Sequence, residues 1–415
     1  MPISKFKNTG FLFLAITILF CFSCGSQNHE KKETVEVTKN SKSESVQILQ
    51  PAIAKTNTYL PLLKGKKVAV VANPTSVLFE TPSQPIHLVD LLLSNGITVA
   101  KVFAPEHGFR GTADAGEKVS DGIDTQTGLS IISLYGKNKK PTPQQMEGIE
   151  IMVFDIQDVG VRFYTYLSTL HYVMEACAEA NIPLLVLDRP NPNGHYVDGP
   201  MMESKHFSFL GLHPVPLVYG MTIGEYAQMI NGEGWLQQGE TCDLTVIPMT
   251  NYTHNTIYSL PIKPSPNLPN DQAISLYPSL GLFEGTEVNA GRGTEMQFQI
   301  FGSPYLPEEK YPFFYVPQPN DGAKHPKMEG KTCNGIDLRT IPKMDQVDLT
   351  WLVNAYNDYG KKESFFNTKN FAAHAGTEAL QLQIQNGMSA QKIRQSWQPD
   401  IEKFKKIREK YLLYN

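Results

Sequence analysis

Three stretches in the first half of this 415-residue chain concentrate side chains able to do chemistry on a polar substrate. Ala104-Pro105-Glu106-His107-Gly108-Phe109-Arg110-Gly111 sets a carboxyl in a proline–glycine turn beside an imidazole and a guanidinium. Asp155-Ile156-Gln157-Asp158-Val159-Gly160-Val161-Arg162-Phe163-Tyr164 and Asp188-Arg189-Pro190-Asn191-Pro192-Asn193-Gly194 are equally rich in acids, amides and arginine. In the second half, Ser265-Pro266-Asn267 precedes a glycine-rich run holding Glu284, Glu287 and Arg292. Carboxylates, amides, guanidinium groups and aromatic rings together suit a polyhydroxylated ligand, which needs paired hydrogen bonds and a flat surface for a sugar ring. Cutting a glycosidic bond takes one carboxyl that protonates the leaving oxygen and usually a second that acts on water or on the anomeric carbon.

Glu106 is the expected acid. Pro105 and Gly108 give a tight, rigid turn, His107 and Arg110 can tune or position the carboxyl, and desolvation at a sheet edge favours the protonated form. The competing structural reading pairs Glu106 with Arg110 to hold the loop. Glu284 or Glu287 is the expected second carboxylate, with an Arg292 ion pair as the alternative, and the spacing does not choose between the two glutamates. Asp155 and Asp158 are either substrate contacts or strand-end caps with Arg162 as a salt-bridge partner. Asp188, Arg189 and Asn191 divide in the same way between site and turn.

These residues depend on the elements that carry them. Apolar runs at Lys67–Val71, Val99–Phe103, Ile131–Tyr135, Ile151–Phe154, Leu184–Leu187 and Leu244–Ile247 read as strands. Between them, amphipathic patterns at Ile86–Asn95, Thr165–Ala180 and Thr222–Ile230 read as helices. That alternation predicts an α/β fold with a Rossmann-like, mostly parallel sheet covered on both faces. The carboxyl ends of parallel strands share one edge, so the three polar loops should converge there. Neither Gly-x-Gly-x-x-Gly nor a P-loop follows the first strand, which ends in Ala72-Asn73-Pro74-Thr75, so the topology carries no nucleotide fingerprint. Leu260 to Tyr315 reads as long ordered loops, and Val347–Tyr359, Phe371–Gln385 and Ser389–Tyr411 read as helices. We expect a Rossmann-like domain over residues 51–250 and a smaller α+β domain over 251–415 that contributes to the cleft.

A net charge of −4 with no clustered basic surface argues against nucleic acid as a partner. Residues 1–23 read as a lipoprotein signal peptide: Lys5 and Lys7 lead into an apolar run, Phe11 to Phe22, closed by Phe22-Ser23-Cys24. Cys24 is then the lipidated residue, and the polar stretch to residue 50 a disordered tether. The body would sit in a bacterial cell envelope, periplasm-facing or surface-exposed, and touch membrane through the anchor alone. Cys177, Cys242 and Cys333 are too far apart in sequence for a metal motif and are expected as buried thiols. No histidine pair has zinc spacing, so no metal is expected.

The same loops carry a resemblance. Pro105-Glu106-His107-Gly108, Ser133-Leu134-Tyr135-Gly136, Phe154-Asp155-Ile156-Gln157-Asp158-Val159-Gly160 and Leu187-Asp188-Arg189-Pro190-Asn191-Pro192 resemble the exo-β-N-acetylmuramidases. So do His213-Pro214-Val215-Pro216, Gly220-Met221-Thr222-Ile223-Gly224-Glu225, Pro264-Ser265-Pro266-Asn267 and Glu284-Gly285-Thr286, over about Leu62 to Tyr414. Val161 departs from the family's Asp-Val-Gly-x-Arg run, while Arg162 and Tyr164 keep it. The resemblance implies a Rossmann-like domain with a smaller C-terminal domain and a cleft between them. It further implies release of N-acetylmuramic acid from the non-reducing ends of peptidoglycan fragments, no organic cofactor, and a catalytic role for Glu106. The lactyl carboxylate of such a sugar calls for a cation, with Arg110, Arg162, Arg189 and Arg292 as candidates and Arg162 or Arg292 preferred. Two other readings compete: a muropeptide-binding lipoprotein without hydrolase activity, and a metal-dependent amidase acting on the peptide stem.

Overall fold

The computed structural model describes residues 48–415 except 82 and 111–120, and of Glu80 only the backbone. The expected leader, Cys24 and the expected tether up to residue 47 lie outside the described residues. The strands are β1 (Lys67–Ala72), β2 (Val77–Thr81), β3 (Gln84–His87), β4 (Thr98–Ala104), β5 (Gly122–Ile123), β6 (Ser130–Ser133), β7 (Ile151–Asp155), β8 (Leu184–Leu187), β9 (Leu244–Ile247), β10 (Ile300–Ser303), β11 (Phe313–Tyr315) and β12 (Cys333–Asp337). The helices are α1 (Thr56–Leu63), α2 (Leu88–Ser94), α3 (Pro143–Met146), α4 (Tyr166–Ala180), α5 (Ile223–Gly232), α6 (Asp271–Leu280), α7 (Thr350–Asp358), α8 (Thr368–Ala375), α9 (Ala379–Gln385) and α10 (Ala390–Arg408).

The main sheet runs β5-β6-β4-β1-β7-β8-β9, parallel throughout except for the short edge strand β5. Its six parallel strands, counted along the chain, stand in the order 3-2-1-4-5-6 of the Rossmann arrangement, so the direction of winding reverses at β1. Alternation in β1 shows why both faces close: Ala69 and Val71 join one apolar core, Val68 and Val70 the other. The first core, with α4 and α5, continues without a break into Leu352, Phe371 and Ile401 of the C-terminal helices, while α1 and α2 cover the opposite face. A three-stranded antiparallel sheet, β10-β12-β11, gives the smaller C-terminal part its β content.

Two expectations about elements are corrected. The stretch read as loops from Leu260 to Tyr315 contains α6, capped by Asn270 Oδ1 accepting from Ala273 N at 2.9 Å, and strand β10. Pro278 inside the last turn of α6 had disguised the helix. The single helix expected from Phe371 to Gln385 is two, broken at Gly376 with φ +80°. Arg162 causes the break, because its Nη2 takes the carbonyls of His374 (3.1 Å) and Ala375 (2.7 Å) at the end of α8. A Cβ at position 376 would lie 2.5 Å from that nitrogen, so glycine is required there. Cys177, Cys242 and Cys333 are free and buried, as the sequence suggested.

Candidate active site

The loop after β4 closes as a tight turn, Gly108 N donating to Pro105 O at 3.1 Å. It holds His107 at φ +72° and Gly108 at φ +82°. A histidine in the left-handed region is an uncommon, costly backbone state that only a firm surround maintains. That surround is local: Tyr166 Oη donates to Glu106 O at 3.3 Å, and Thr165 Oγ1 donates to Glu106 Oε2 at 2.7 Å. Thr165 is the N-cap residue of α4, where a threonine hydroxyl normally accepts from the first helical turn. Here it makes no such cap and is directed to Glu106 instead.

Glu106 and His107 line a cavity of about 480 Å³. Tyr135 and Lys139, beyond β6, and Phe163, Tyr164 and Thr165, beyond β7, complete its wall on the sheet side. From the second half come Asn267, Tyr277, Glu284, Arg292, Phe298 and His374. Phe163, Tyr277 and Phe298 pack edge to face in series, with centroids 5.0 and 4.8 Å apart, which gives the cavity an aromatic wall. The Glu106 carboxylate is felt by three neighbouring tyrosines. Burial and then Glu106 push the hydroxyls of Tyr135 and Tyr166 up, and Tyr277 is raised by burial, then by Glu284 and Glu106 together. Tyr277 thus stands in the field of both carboxylates.

Glu284 has a different setting. Arg292 Nη1 donates to its Oε2 at 3.1 Å, and Lys327 Nζ is anchored on the carbonyls of Phe283, Glu284 and Thr286. Burial pushes its carboxyl up, but Arg292, Lys327 and His374 outweigh that and hold it below the usual range, so Glu284 is ionised. His374 lies 5.4 Å from Phe163, centroid to centroid, and burial lowers its pKa. Its Nδ1 is 2.9 Å from Asn370 O; a carbonyl can only accept, so Nδ1 carries a proton.

Several residues expected at the site are committed elsewhere. Asp155 forms a buried two-point pair with Arg189, 2.8 Å from Nη2. Asp158 accepts from Tyr219 Oη and from Gly160 N at 2.7 Å, and burial pushes it up to about 6 against those donors. Gln157 donates to the carbonyls of Asp158 and Pro190, and Asn191 to Met221 O. Asp188 accepts from Tyr414 Oη (2.6 Å), Thr222 Oγ1 (2.7 Å) and Gly224 N (2.8 Å), tying β8 to α5 and to the C-terminus. Arg162 is buried, with Nη1 on Pro200 O and Val215 O and Nη2 on α8, so it has no face on the cavity. Arg110 is held by Asp90 at 2.6 Å and Asp124 at 3.2 Å, which removes the suggested Arg110–Glu106 pair. Glu287 is exposed and outside the cavity lining, which leaves Glu284 as the glutamate of that run on the wall. Of the expected residues, Glu106, His107, Tyr164, Asn267, Glu284 and Arg292 are brought together.

Residues missed in the sequence are Tyr135, Lys139, Thr165, Phe209, Tyr277 and His374. Tyr135 stands in a quoted motif, whereas Lys139 and His374 sit in stretches whose pattern is that of ordinary solvated loop and helix.

Fold and cavity define a class: a Rossmann-type α/β protein in which a sheet edge and a smaller antiparallel part share one cavity with two carboxylates and aromatic walls. The chain belongs to the exo-β-N-acetylmuramidase NamZ family, its N-terminal model matching residues 68–272 and its C-terminal model residues 275–414. It is 38% identical over 375 residues to the peptidoglycan β-N-acetylmuramidase NamZ of Bacillus subtilis (strain 168), covering 86% of this chain and 89% of that protein. Crystal structures of two DUF1343 family proteins from Bacteroides fragilis NCTC 9343 are similar. One has a TM-score of 0.81 at 43% identity, covering 89% of this chain and 99% of that one. The other has a TM-score of 0.77 at 27% identity, covering 88% and 99%.

Proposed function

We propose that this chain is an exo-acting glycoside hydrolase that releases N-acetylmuramic acid from the non-reducing ends of peptidoglycan fragments. The observation that carries the reading is Glu106 and Glu284 on one aromatic-walled cavity, in a chain of this family. The volume lies within the usual range of ligand pockets, roughly 300–1,000 Å³.

The two carboxylates divide the work by their neighbours. Glu284, kept ionised by Arg292 and Lys327, has no proton to give; its negative charge suits the positive charge that develops on the sugar ring. Glu106 is then the acid that protonates the leaving oxygen, positioned by Thr165 and by the strained turn at His107. The preference for Arg162 as the lactyl partner gives way, since that side chain is enclosed in backbone carbonyls. Arg292 spends its charge on Glu284. Lys139 lies over Phe209 at 4.6 Å and, among the described residues, has no carboxylate partner; it takes the lactyl group in this reading.

Cys24 is proposed as a lipidated residue that tethers the body to the envelope through the segment that follows it, facing the periplasm or the cell surface. The cleft between a domain of residues 51–250 and one of 251–415 belongs to the same reading.

The test is hydrolysis of a chromogenic β-N-acetylmuramide and its N-acetylglucosamine counterpart by the wild type and by Lys139→Ala. The wild type should prefer the muramide, and the variant should lose about tenfold or more on it and little on the glucosaminide. Equal losses on both would remove Lys139 from lactyl recognition, and no cleavage of the muramide by the wild type would reject the activity.

A further inference from the structure

Two consecutive lysines in the loop after β6 have different surroundings. Lys139 lines the cavity and lies over Phe209 at 4.6 Å. Lys140 is outside that lining: its Nζ is 3.1 Å from Glu175 Oε2 and 2.6 Å from Glu179 Oε1, both on α4. The same helix supports the ring beneath Lys139, because Tyr172 stacks on Phe209 with centroids 6.3 Å apart and an interplanar angle of 11°. The ends of the loop are tied by other bonds, Asn138 Nδ2 donating to Ser133 O at 2.9 Å and Thr142 N to Gln145 Oε1 at 2.8 Å. Between those ends, Lys139, Lys140 and Pro141 make no backbone hydrogen bond among the described residues. The course of that stretch is therefore set through side chains.

Glu175 is a fixed anchor for Lys140. It is 8% exposed, whereas Glu179, one turn further on, is open to solvent. Burial pushes the Glu175 carboxyl up, but His171 and Lys140 outweigh that and hold it at about 2, so it is ionised and can only accept. His171 Nε2, 3.2 Å from Glu175 Oε1, must then carry a proton, and Gln237 N donates to the same oxygen at 3.2 Å. Behind it, His171 Nδ1 meets His213 Nε2 at 3.0 Å, and His213 Nδ1 meets Tyr226 Oη of α5 at 3.0 Å. Trp235 stacks on His213 with centroids 4.5 Å apart. A carboxylate held by this buried network has little freedom to follow Lys140, so the loop must follow the carboxylate.

We infer that Glu175, assisted by Glu179, is a positioning residue for lactyl recognition: by holding Lys140 against α4 it sets the loop that presents Lys139 to the carboxylate of a muramyl sugar. Glu175 does this without touching the sugar. The inference deepens the muramidase reading and rests on its assignment of Lys139.

The test is a double-mutant cycle. Values of kcat and KM on a chromogenic β-N-acetylmuramide are measured for the wild type, Lys140→Ala, Lys139→Ala and the double variant, with Lys140→Arg and Glu175→Gln beside them. Hydrogen exchange over residues 135–141 is followed in the same proteins. Lys140→Ala should raise KM by about twofold to fivefold, the size expected of ion pairs this exposed, with kcat unchanged and faster exchange in the loop. Lys140→Arg, which keeps the charge for both carboxylates, should restore KM and exchange, and Glu175→Gln should act in the direction of Lys140→Ala. On the Lys139→Ala background, Lys140→Ala should cost nothing further, because a positioning group has no effect once the group it positions is gone. Additive losses in the cycle, a fall in kcat with KM unmoved, or unchanged exchange in Lys140→Ala overturns the inference. If Glu175→Gln does not fold, the variants of the partly exposed Lys140 decide. Equal losses on muramide and glucosaminide in Lys139→Ala remove the group being positioned and overturn the inference with it, whereas additivity beside a muramide-selective Lys139→Ala overturns the inference alone. If the wild type cleaves no muramide, the proposed reaction has failed, and the same cycle is read in the calorimetric Kd of free N-acetylmuramic acid, where additivity again rejects the inference.

Discussion

The two glutamates on one cavity differ in the groups within hydrogen-bond reach of each, and the proposed division of roles follows from that. Glu284 meets a guanidinium, while Glu106 meets the hydroxyl of Thr165 and tyrosines whose protons are held firmly. The depressed pKa of Glu284 means that its charge survives below the ordinary carboxylate range and is lost only as pH falls through that lowered value. Replacing Arg292 by Gln removes the largest opposing cation, so the Glu284 carboxyl should titrate higher than in the wild type. The acid limb of the kcat profile should therefore move to higher pH in Arg292→Gln, and an unmoved limb would show that ionisation of Glu284 is not required. At this scale the sequence was half legible. The Pro105–Gly108 turn marked Glu106, and a glycine-rich run narrowed the partner to two glutamates. It could not separate site acids from structural ones, because Asp155, Asp158 and Asp188 stand at strand ends just as Glu106 does, and only the fold shows that Arg189, Tyr219 and Tyr414 occupy them. Lys139 was silent for the opposite reason: a lone lysine in a polar loop looks like any solvated charge.

The elements that carry the second half of the cavity are locked to one another through backbone. The turn over Gly281–Gly285 packs on α8 so closely that a Cβ at position 285 would stand 2.3 Å from Phe371 Cα. Asn370 of α8 donates to Glu284 O at 2.9 Å, and His374 lies one turn further along the helix. Overpacking against backbone typically costs about 1–3 kcal/mol. Gly285→Ala should lower stability by that amount in denaturant unfolding. It should also reduce kcat, since Glu284 and His374 shift together, and full activity in a destabilised variant would separate the packing from the site. The parallel strands were readable because buried strands are continuous apolar runs of fixed length. The break at Gly376 was not, for it depends on Arg162, more than two hundred residues away in the chain. Helix α6 has a readable cap at Asn270, hidden by the proline, glycine and aromatic residues that follow it.

For the whole molecule, the Rossmann arrangement supplies one edge of the cavity and the C-terminal part the other, on a core shared by both. The crevice at β1, where such sheets often bind ligands, is taken up by the protein's own groups: Asn73 donates to Tyr166 Oη at 2.9 Å, and Gln157 N to Thr75 Oγ1 at 3.1 Å. The cavity lies instead beyond β4, β6 and β7. Catalysis belongs to this body and location to the proposed anchor, so Cys24→Ser should release the protein from the membrane fraction while leaving kcat/KM on a soluble muramide unchanged. A variant that stays membrane-bound would refute the anchor. In the proposed mechanism the Glu106 proton goes to the leaving oxygen, and Glu106→Gln removes that proton while the amide keeps the side chain's shape. With a β-N-acetylmuramide whose leaving group needs protonation, kcat should fall by about a hundredfold to ten-thousandfold with KM little changed. A Glu106→Gln enzyme within a few-fold of wild-type kcat would rule Glu106 out as the acid.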